Sequence, residues 1–435
     1  MIWSAEETLP AAALCALQTA RLRQIAQYVH ARVPFYRAAF AARGVQPAQI
    51  GSLADIRKLP FTIKNDLRDN YPFGLFAVPV SQVQELHASS GTTGNPTVVG
   101  YTKNDLKLWG TVMARTLCIA GVTPQDIIQN AYGYGLFTGG LGVHYGALEL
   151  GAPVVPMSSG NTAKQLKVMQ DFKTTVISCT PSYALFMAEE AEKAGIMPRA
   201  SSWRIGIFGA EPWSHELRAQ IERVWGLKAM DIYGLSEIIG PGVAQECAQQ
   251  DGLHINSDVF YPEIIRPGTE EPVADGAPGE LVITTLTKEA LPLIRYRTGD
   301  IVSLTHAPCA CGRTLPRISK IQGRTDDMLI IRGINIFPSQ VESVLLTIPG
   351  VAPHYQLVVR RAHNLDTLEV LVELDECGFT DEIKGLERLE ALIEGKMAEV
   401  LSLAVKVKLV GPQTIARSTG KATRVVDLRG TTYAA

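Results

Sequence analysis

The sequence lacks the features that mark disulfide-stabilised, membrane-spanning and secreted proteins. Its 435 residues include seven cysteines at irregular spacing, an odd number that argues against a disulfide framework and for a reducing compartment. The apolar stretches are interrupted by charge, glycine or proline well before the roughly 18 residues that a membrane-spanning helix needs. The first thirty residues contain no basic start followed by an apolar run, so we expect no signal peptide. These absences predict a cytoplasmic protein without a membrane partner.

Charge is also scarce. Charged residues make up 19% of the chain and the formal net charge is −2, so no basic surface is indicated and we expect no nucleic-acid partner. Internal repeats and low-complexity tracts are absent from the sequence. The length is sufficient for two or three domains with a substantial core. A soluble cytoplasmic enzyme is the default expectation.

The middle of the chain alternates between strand and helix patterns. The predicted strands are 127–131, 153–156, 175–179, 204–208 and 229–233. The predicted helices between them are 139–150, 163–172, 183–194 and 215–224. Such alternation indicates an α/β fold whose sheet is mostly parallel and flanked by helices. In such sheets ligands bind beyond the carboxyl ends of the strands.

The pattern changes from about residue 250 to short alternating strands, which predict an antiparallel, barrel-like piece. Its predicted strands are 261–266, 279–285, 293–296 and 301–304. After a polar junction near residue 325, the pattern predicts a small α+β domain. Its predicted elements are the helices 340–347 and 386–401 and the strands 355–361, 367–374 and 405–410. We therefore predict a large N-terminal domain over residues 1–325 and a small mobile C-terminal domain over 326–435.

One polar loop is rich in hydroxyls and glycine and nearly free of apolar mass. It comprises Ser89, Ser90, Gly91, Thr92, Thr93, Gly94, Asn95, Pro96 and Thr97. Glycine lets a backbone approach an anion closely, so the loop could bind phosphate through N–H groups and hydroxyls. A plain surface loop would have the same composition. The loop is not a Walker motif, which requires Lys and then Ser or Thr after its last glycine. We expect it to form the tip of a hairpin between strands 85–87 and 97–101.

Further polar segments follow in a fixed order. Tyr233 and Glu237 combine an aromatic ring that can stack on a base with a carboxylate that can bind Mg²⁺. Asp300 ends a Tyr-Arg-Thr-Gly-Asp segment and could accept two ribose hydroxyls. Arg324 stands beside two acids, and Lys421 lies on a flexible loop near the C-terminus. Taken singly, each also fits an ordinary structural turn or a solvated side chain.

Together, in this order, these segments resemble the acyl-adenylate-forming superfamily of acyl-CoA synthetases, adenylation domains and luciferases. Longer stretches narrow the resemblance to phenylacetate–CoA ligases: 89–100, 132–140, 207–212, 291–300 and 323–342. The resemblance implies a reaction in two halves. A carboxylate attacks the α-phosphorus of ATP to give an acyl-adenylate and pyrophosphate, and the thiol of coenzyme A then displaces AMP. ATP, Mg²⁺ and coenzyme A are the implied cofactor and co-substrates.

The resemblance also implies roles for individual residues. Lys421 and Glu237 would be catalytic, Lys421 by stabilising charge at the α-phosphate and Glu237 by binding Mg²⁺. The implied ATP- and AMP-binding residues are Ser89, Ser90, Gly91, Thr92, Thr93, Gly94, Gly209, Ala210, Glu211, Pro212, Asp231, Tyr233, Gly234, Ser236, Asp300 and Arg324. Related loops often carry a lysine where this sequence has Asn95, so binding of pyrophosphate would depend more on backbone N–H groups and Mg²⁺.

An apolar pocket for the acid is predicted from aromatic residues after a strand, although such residues are equally common in a plain core. Its predicted members are Tyr132, Gly133, Tyr134, Phe137 and Gly140. The resemblance implies that Gly135, Gly139 and Gly140 leave room beside the ring of the acid. For the second half-reaction the resemblance implies a hinge at Asp326 and a coenzyme A tunnel lined by Arg332 and Gly333. It also implies a homodimer.

Two other functions remain open from the sequence. An aryl-acid adenylating enzyme that loads a carrier protein would share the first half-reaction and the same nucleotide motifs. No carrier domain is expected after residue 430, which favours free coenzyme A. A non-catalytic nucleotide-binding protein is opposed by the intact Glu237, Asp300 and Lys421.

A second metal site is indicated by Cys247, His254, Cys309 and Cys311. Two sulfurs separated by one residue can bind the same tetrahedral ion, and Cys₃His is a common structural zinc set. The alternative is that Cys309 and Cys311 are incidental loop cysteines. None of the four falls in a nucleotide motif, so we predict a structural Zn²⁺.

Overall fold

The computed structural model describes residues 1–88, 96–325, 329–331, 334–362, 365–376, 378, 383–401, 403–418 and 422–429. These residues form two compact units. The first unit comprises Met1–Cys179, Ser201–Ala210 and Lys228–Ile321, and the second comprises Thr180–Ala200, Glu211–Leu227 and Gln322–Ala435. The last boundary falls close to the predicted one at 325, but two earlier helical segments are grouped with the second unit.

A nine-stranded mixed sheet is the main element of the first unit. Its strands, in spatial order, are β13 (Leu304–Thr305), β14 (Arg317–Ile318), β9 (Leu253–Ile255), β8 (Gly240–Glu246), β7 (Lys228–Leu235), β6 (Ile205–Gly209), β5 (Val176–Cys179), β3 (Ile128–Asn130) and β4 (Val154–Pro156). The pairings among β3 to β7 are parallel, as the alternating pattern predicts. β8, β9, β13 and β14 extend the sheet with antiparallel pairs.

Two smaller β structures complete the first unit. β1 (Val83–Ala88) and β2 (Val98–Thr102) form an antiparallel pair in which His87 lies opposite Val99. The predicted hairpin is therefore confirmed in its strands, while the loop 89–95 lies outside the described residues. β10 (Phe260–Ile265), β11 (Gly279–Thr285) and β12 (Tyr296–Val302) form consecutive antiparallel pairs.

One predicted strand is wrong. Residues 293–295 are buried without being part of a strand, and β12 begins at Tyr296 and runs through Gly299 to Val302. Gly299 has a φ of +78°, which lets the strand continue through a local irregularity. The segment 301–304 is divided between β12 and β13, because the chain leaves one sheet and joins the other there.

The helices of the first unit are α1 (Ala11–Arg32), α2 (Pro34–Ala42), α3 (Lys64–Asp69), α4 (Lys103–Ile119), α5 (Thr138–Leu150) and α6 (Thr162–Phe172). α4 and α5 approach closely because α5 presents glycines to α4. A Cβ on Gly142 would lie 2.7 Å from the Trp109 ring. A larger residue there would push the two helices apart.

The second unit has its own hydrophobic core and its own sheet. The sheet order is β20 (Lys406–Val410), β19 (Leu365–Leu374), β18 (Val351–Ala362) and β21 (Val425–Asp427). Its helices are α7 (Pro181–Lys193), α8 (His215–Trp225), α9 (Pro338–Leu345) and α10 (Ile383–Leu401). The remaining strands are β15 (Gly323–Arg324), β16 (Leu329–Ile331) and β17 (Ile334–Ile336). Ile393 and Met397 of α10 pack with Val370 of β19 in a core cluster.

Among the helices in the described part of the chain, none is both long enough and apolar enough to cross a bilayer.

Candidate active site

The turn after β6 holds the first pair of predicted nucleotide-binding residues, Gly209 and Ala210. A Cβ on Gly209 would collide with the carbonyl oxygen of Ile232, so only glycine fits there. Ala210 has a φ of +67°, a left-handed conformation that L residues adopt at a cost. This strained turn lies at the carboxyl end of a parallel strand, where α/β sheets bind ligands.

Tyr233 and Asp300 lie together, as the nucleotide hypothesis requires. The Tyr233 hydroxyl donates to Asp300 Oδ2 over 2.6 Å. The Asp300 N–H donates to Thr298 Oγ1 over 3.0 Å, and the Thr298 hydroxyl donates to the Leu281 carbonyl over 2.9 Å. Asp300 is buried. The Tyr233 hydroxyl therefore holds the carboxylate that the sequence hypothesis assigns to the ribose.

The other predicted residues of β7 and of the turn after it are also fixed by neighbours. The Asp231 N–H donates to Glu246 Oε2 over 3.0 Å, and its carboxylate lies 3.9 Å from Lys320 Nζ. Gly234 is confined by the backbone of Gly240, which leaves no space for a side chain. The Ser236 and Thr138 hydroxyls are 3.0 Å apart, so Ser236 is joined to the start of α5.

Glu237 is a buried carboxylate beside a buried cation. The Tyr296 hydroxyl lies 3.5 Å from Glu237 Oε1, at the limit of hydrogen bonding. This long contact leaves the carboxylate able to accept a metal ion, and carboxylate oxygen is a preferred Mg²⁺ ligand. Lys288 Nζ donates to the Ile238 carbonyl over 2.9 Å and lies 4.7 Å from the centre of the Tyr101 ring. Burial lowers the pKa of Lys288 to about 8.

The predicted acid pocket is organised by a residue that the sequence hypothesis missed. Asn130, at the end of β3, donates to the Tyr134 hydroxyl over 2.8 Å and to the Gly140 carbonyl over 2.7 Å. Its Oδ1 accepts the Ser178 hydroxyl over 3.0 Å and the Tyr132 N–H over 3.3 Å. The signal in the sequence was a polar residue at the carboxyl end of a buried strand.

The Tyr134 hydroxyl also lies 3.2 Å from His144 Nδ1. Burial raises the pKa of Tyr134 to about 12 and lowers the pKa of His144. At neutral pH the phenol is therefore protonated and the imidazole neutral, so Tyr134 donates to His144. This pair gives the predicted pocket one polar position. Phe137 is 48% exposed, and its ring is not part of the core.

Gly140 does not leave room for a ring, contrary to the expectation. A Cβ there would lie 2.6 Å from the Gly133 carbonyl oxygen and 2.9 Å from the Tyr134 ring. The Gly140 N–H donates to the same Gly133 carbonyl over 3.1 Å. Gly140 therefore serves close backbone packing, with Gly133 held against it.

Three predicted nucleotide-binding residues of the second unit, Glu211, Pro212 and Arg324, are described. Glu211 Oε1 accepts the Ser182 N–H over 2.8 Å, and its Oε2 accepts the Ala422 N–H over 2.9 Å. The carboxylate thus joins the start of α7 to the residue after Lys421. Pro212 follows it, and Arg324 ends β15.

Several predicted residues fall outside the described part of the chain. They are Ser89, Ser90, Gly91, Thr92, Thr93, Gly94, Asp326, Arg332, Gly333 and Lys421. Their assignments stay predictions.

The four predicted zinc ligands are brought together. One potential ligand atom from each of Cys247, His254, Cys309 and Cys311 lies within 4.8 Å of the others. Of the cysteines outside this cluster, Cys118 and Cys179 are buried and Cys15 is exposed.

Known proteins share both the sequence and the fold. Residues 86–287 match the AMP-binding enzyme family, and residues 333–429 match the AMP-binding enzyme C-terminal domain. The chain is 53% identical over 437 residues to the phenylacetate-coenzyme A ligase of Thermus thermophilus, across 97% of this chain and 98% of that protein. This chain belongs to the phenylacetate–coenzyme A ligase family. Another such ligase, from Escherichia coli, is 51% identical over 425 residues, across 97% of both chains.

Solved structures of related ligases give the same fold. A 2-hydroxyisobutyryl-CoA ligase in the postadenylation state, in complex with 2-HIB-AMP, aligns with a TM-score of 0.92 at 32% identity, across 97% of this chain and 91% of that chain. An anthranilate CoA ligase in complex with anthranoyl-AMP aligns with a TM-score of 0.57 at 19% identity, across 78% and 65% of the two chains, a likeness of fold alone. The expectation of an acyl-adenylate-forming fold is confirmed.

Proposed function

We propose that this protein activates phenylacetate with ATP and transfers the acyl group to coenzyme A, releasing AMP and pyrophosphate. The observation that carries the proposal is the hydrogen-bonded pair of Tyr233 and Asp300, in a chain that matches phenylacetate–CoA ligases over nearly its full length. In our proposal the Asp300 carboxylate binds the ribose of ATP, and the neighbouring Tyr233 ring lies beside the adenine.

In the first half-reaction a carboxylate oxygen of the acid attacks the α-phosphorus, and the bond to pyrophosphate breaks. Charge accumulates on the phosphate oxygens, so donors aimed at them contribute most to the rate. In our proposal the loop 89–94 binds the β- and γ-phosphates, and Lys421 stabilises charge at the α-phosphate. The Glu211 carboxylate, which accepts the Ala422 N–H over 2.9 Å, supports the backbone beside Lys421.

Mg²⁺ would be held by Glu237, whose buried carboxylate has its Oε1 atom 3.5 Å from the Tyr296 hydroxyl, at the limit of hydrogen bonding. When bound, the ion neutralises phosphate charge. Lys288 keeps the backbone beyond Glu237 in place by donating to the Ile238 carbonyl.

In the second half-reaction the thiol of coenzyme A attacks the acyl carbon, and AMP leaves with the electron pair of the broken acyl–phosphate bond. In our proposal Arg332 and Gly333 line the route of the thiol, and Asp326 is the hinge of a small domain that begins there. The pair of Tyr134 and His144 would set which ring substituents the acid pocket accepts, because it presents polar atoms.

We further propose that the enzyme is a cytoplasmic homodimer, on the basis of the irregular cysteines and of the family resemblance. Light scattering of the purified protein would measure its mass in solution. A structural zinc ion would have no part in the chemistry, because none of its four ligands belongs to a nucleotide motif.

The deciding experiment measures pyrophosphate release and thioester formation from a panel of acids, with and without coenzyme A. We expect turnover with phenylacetate and close analogues and a thioester product only when coenzyme A is present. Release of pyrophosphate without consumption of coenzyme A would instead indicate loading of a carrier protein. Turnover of aliphatic acids alone would contradict the assignment of the acid.

A further inference from the structure

We propose that Cys247, His254, Cys309 and Cys311 bind one structural zinc ion, and that this ion fastens the N-terminal segment Met1–Leu9 to the rest of the first unit. The site is separate in sequence from every nucleotide motif, and the inference does not depend on which acid the enzyme activates.

The distances among the ligand atoms fit a tetrahedral site. Cys247 Sγ and Cys309 Sγ are 3.7 Å apart, and Cys311 Sγ lies 3.3 Å from His254 Nε2. Ligands at about 2.3 Å (sulfur) and about 2.0 Å (nitrogen) from Zn²⁺ are separated by roughly 3.5–3.8 Å in a tetrahedron. A disulfide would need sulfurs about 2.05 Å apart. The 3.7 Å separation of the sulfurs therefore fits shared coordination and not a covalent bond.

His254 presents the correct nitrogen. Its Nδ1 lies 3.2 Å from the Leu315 carbonyl oxygen, which can only accept, so Nδ1 carries the hydrogen. In the neutral ring the lone pair is then on Nε2, the atom that faces Cys311. A backbone carbonyl that fixes the tautomer in this way is the usual outer partner of a metal-binding histidine.

The local fold explains why distant residues meet. β9 carries His254 and pairs with β14, where Arg317 lies opposite His254. The knuckle Cys309–Gly312 precedes β14 and closes with an N–H of Gly312 donating to the Cys309 carbonyl over 3.0 Å. Gly312 has a φ of +84°, which a side chain would oppose. Cys247 directly follows β8, the other neighbour of β9.

The two residues after the knuckle hold the N-terminal segment. Arg313 Nε donates to Glu7 Oε2 over 2.6 Å, and the side chains of Arg313 and Glu7 are 4% and 0% exposed. Arg313 also donates to the Met1 carbonyl. The Thr314 N–H donates to the Glu7 carbonyl over 2.9 Å, and its hydroxyl donates to the Leu9 carbonyl over 2.7 Å. A metal ion that fixes Cys311 would therefore fix the anchor of the N-terminal segment.

The first test is the zinc content of protein purified from zinc-supplemented medium without chelators, measured by elemental analysis. We expect about one zinc ion per chain in the wild type. The double variant Cys309→Ser with Cys311→Ser should lose nearly all of it. Cys15→Ser is the matched control, because Cys15 is exposed and outside the cluster, and it should keep the wild-type content.

The zinc site would be refuted if the double variant and the control contained equal amounts of zinc per chain. It would also be refuted if the wild type contained no zinc. Mass spectrometry of the alkylated wild type adds a check, since a bond between Cys247 and Cys309 would also contradict the proposal. If the double variant does not fold, the wild type is stripped with a chelator and reloaded with Zn²⁺. Failure to regain the metal would then overturn the site.

The second test is hydrogen exchange of residues 1–9 in the intact protein before and after chelation. We expect exchange of this segment to rise at least several-fold on loss of zinc and to recover on its return. Unchanged hydrogen exchange of residues 1–9 would show that the zinc ion does not fasten this segment. Whether the four residues bind zinc at all is decided separately by the zinc content. Neither measurement uses turnover, so both remain informative if the proposed acid is wrong.

Discussion

Lys288 is a fully buried cation whose ammonium group holds the backbone next to the proposed metal ligand. It donates to the Ile238 carbonyl over 2.9 Å and lies over the Tyr101 ring. The side chain is in none of the nucleotide motifs, and its charge is costly to bury. Because its hydrogen bond goes to the residue next to Glu237, we propose that Lys288 positions Glu237.

The substitution Lys288→Met tests this assignment. Methionine keeps the length and apolar contact of lysine but cannot donate, so the carbonyl of Ile238 loses its partner. We expect the Mg²⁺ concentration for half-maximal adenylation to rise several-fold, together with a loss of stability of about 1.5–3 kcal/mol from a hydrogen bond to a charged group. Titration of pyrophosphate release with Mg²⁺ measures the first effect. Lys107→Met, on the exposed face of α4, is the control, and an unchanged Mg²⁺ dependence in Lys288→Met would refute the positioning role.

At this scale the sequence predicted those residues whose type is unusual for their surroundings. Cys247 and His254 could be paired with Cys309 and Cys311 because few residue types bind zinc. Asn130 and Lys288 were missed because neither belongs to a motif with a known role, and the sequence around a polar residue does not show which distant groups it will contact. Gly140 was predicted correctly as a special position but for the wrong reason, since composition cannot tell an open space from a close backbone contact.

A buried ion pair joins elements of the first unit that are far apart in the chain. Arg115 of α4 donates to Asp258 Oδ1 over 2.7 Å, and both side chains are 3% exposed. Arg21 of α1 also donates to the Asp258 carbonyl. Asp258 thus connects two helices to the segment that leads into β10.

Removing Asp258 takes the nearer carboxylate from the buried Arg115 guanidinium, which then faces the more exposed Glu6 carboxylate at 3.7 Å. We expect Asp258→Ala to lower the free energy of unfolding by about 3–5 kcal/mol, as for other broken buried pairs. Asp171→Ala, which breaks the exposed pair with Lys167, should cost at most about 1 kcal/mol. Urea denaturation followed by fluorescence compares the two. Similar losses would show that burial does not decide the strength of the Arg115 pair.

Glu373 of β19 joins the segment 413–417 to the sheet of the second unit. Its carboxylate accepts two bonds from Arg417 and the N–H groups of Gln413 and Ile415. Burial raises the pKa of Glu373, but these donors outweigh it and the net pKa is lowered from its ordinary 4.5. A carboxyl with a lowered pKa in the folded state stabilises at neutral pH, and this contribution is lost as the pH falls through that value.

Glu373→Gln should therefore melt below the wild type at pH 7. The difference between the two melting temperatures should shrink as the pH falls below about 4.5, because the unfolded chain then binds a proton that the folded carboxyl, with its lowered pKa, still excludes. Thermal melts across this range measure the effect. A difference that stays constant with pH would show that the charge of Glu373 does not contribute.

Element types were more predictable than their partners. The parallel strands β3 to β7 follow from apolar runs alternating with helices, whose signals are local. The strand 293–296 was placed wrongly because buried residues such as Leu293 have the same composition inside and outside a strand. The addition of β13 and β14 to the large sheet depends on pairings such as Thr305 with Arg317 and Arg317 with His254, which no local pattern encodes.

For the whole molecule, the proposal places the two half-reactions under the control of different parts of the chain. Lys421→Ala removes the charge proposed to act at the α-phosphate, while the residues proposed for the thiol route remain. We expect adenylation to fall by at least about 10²–10³-fold, the loss typical of one oxyanion donor. Thioester formation from supplied acyl-adenylate should survive. Rapid-quench measurements of both half-reactions make the comparison, and equal losses would remove the assigned role.

The bond between Tyr233 and Asp300 has a consequence for inhibitor chemistry. It forms within the protein itself, so the carboxylate that would bind the sugar is oriented without a nucleotide. A rigid partner of this kind reduces the entropy lost by a ligand on binding. Compounds that keep the ribose diol and replace the triphosphate with an uncharged group would bind to an Asp300 carboxylate that is already oriented. Their affinity would then depend on the sugar hydroxyls more than on charge.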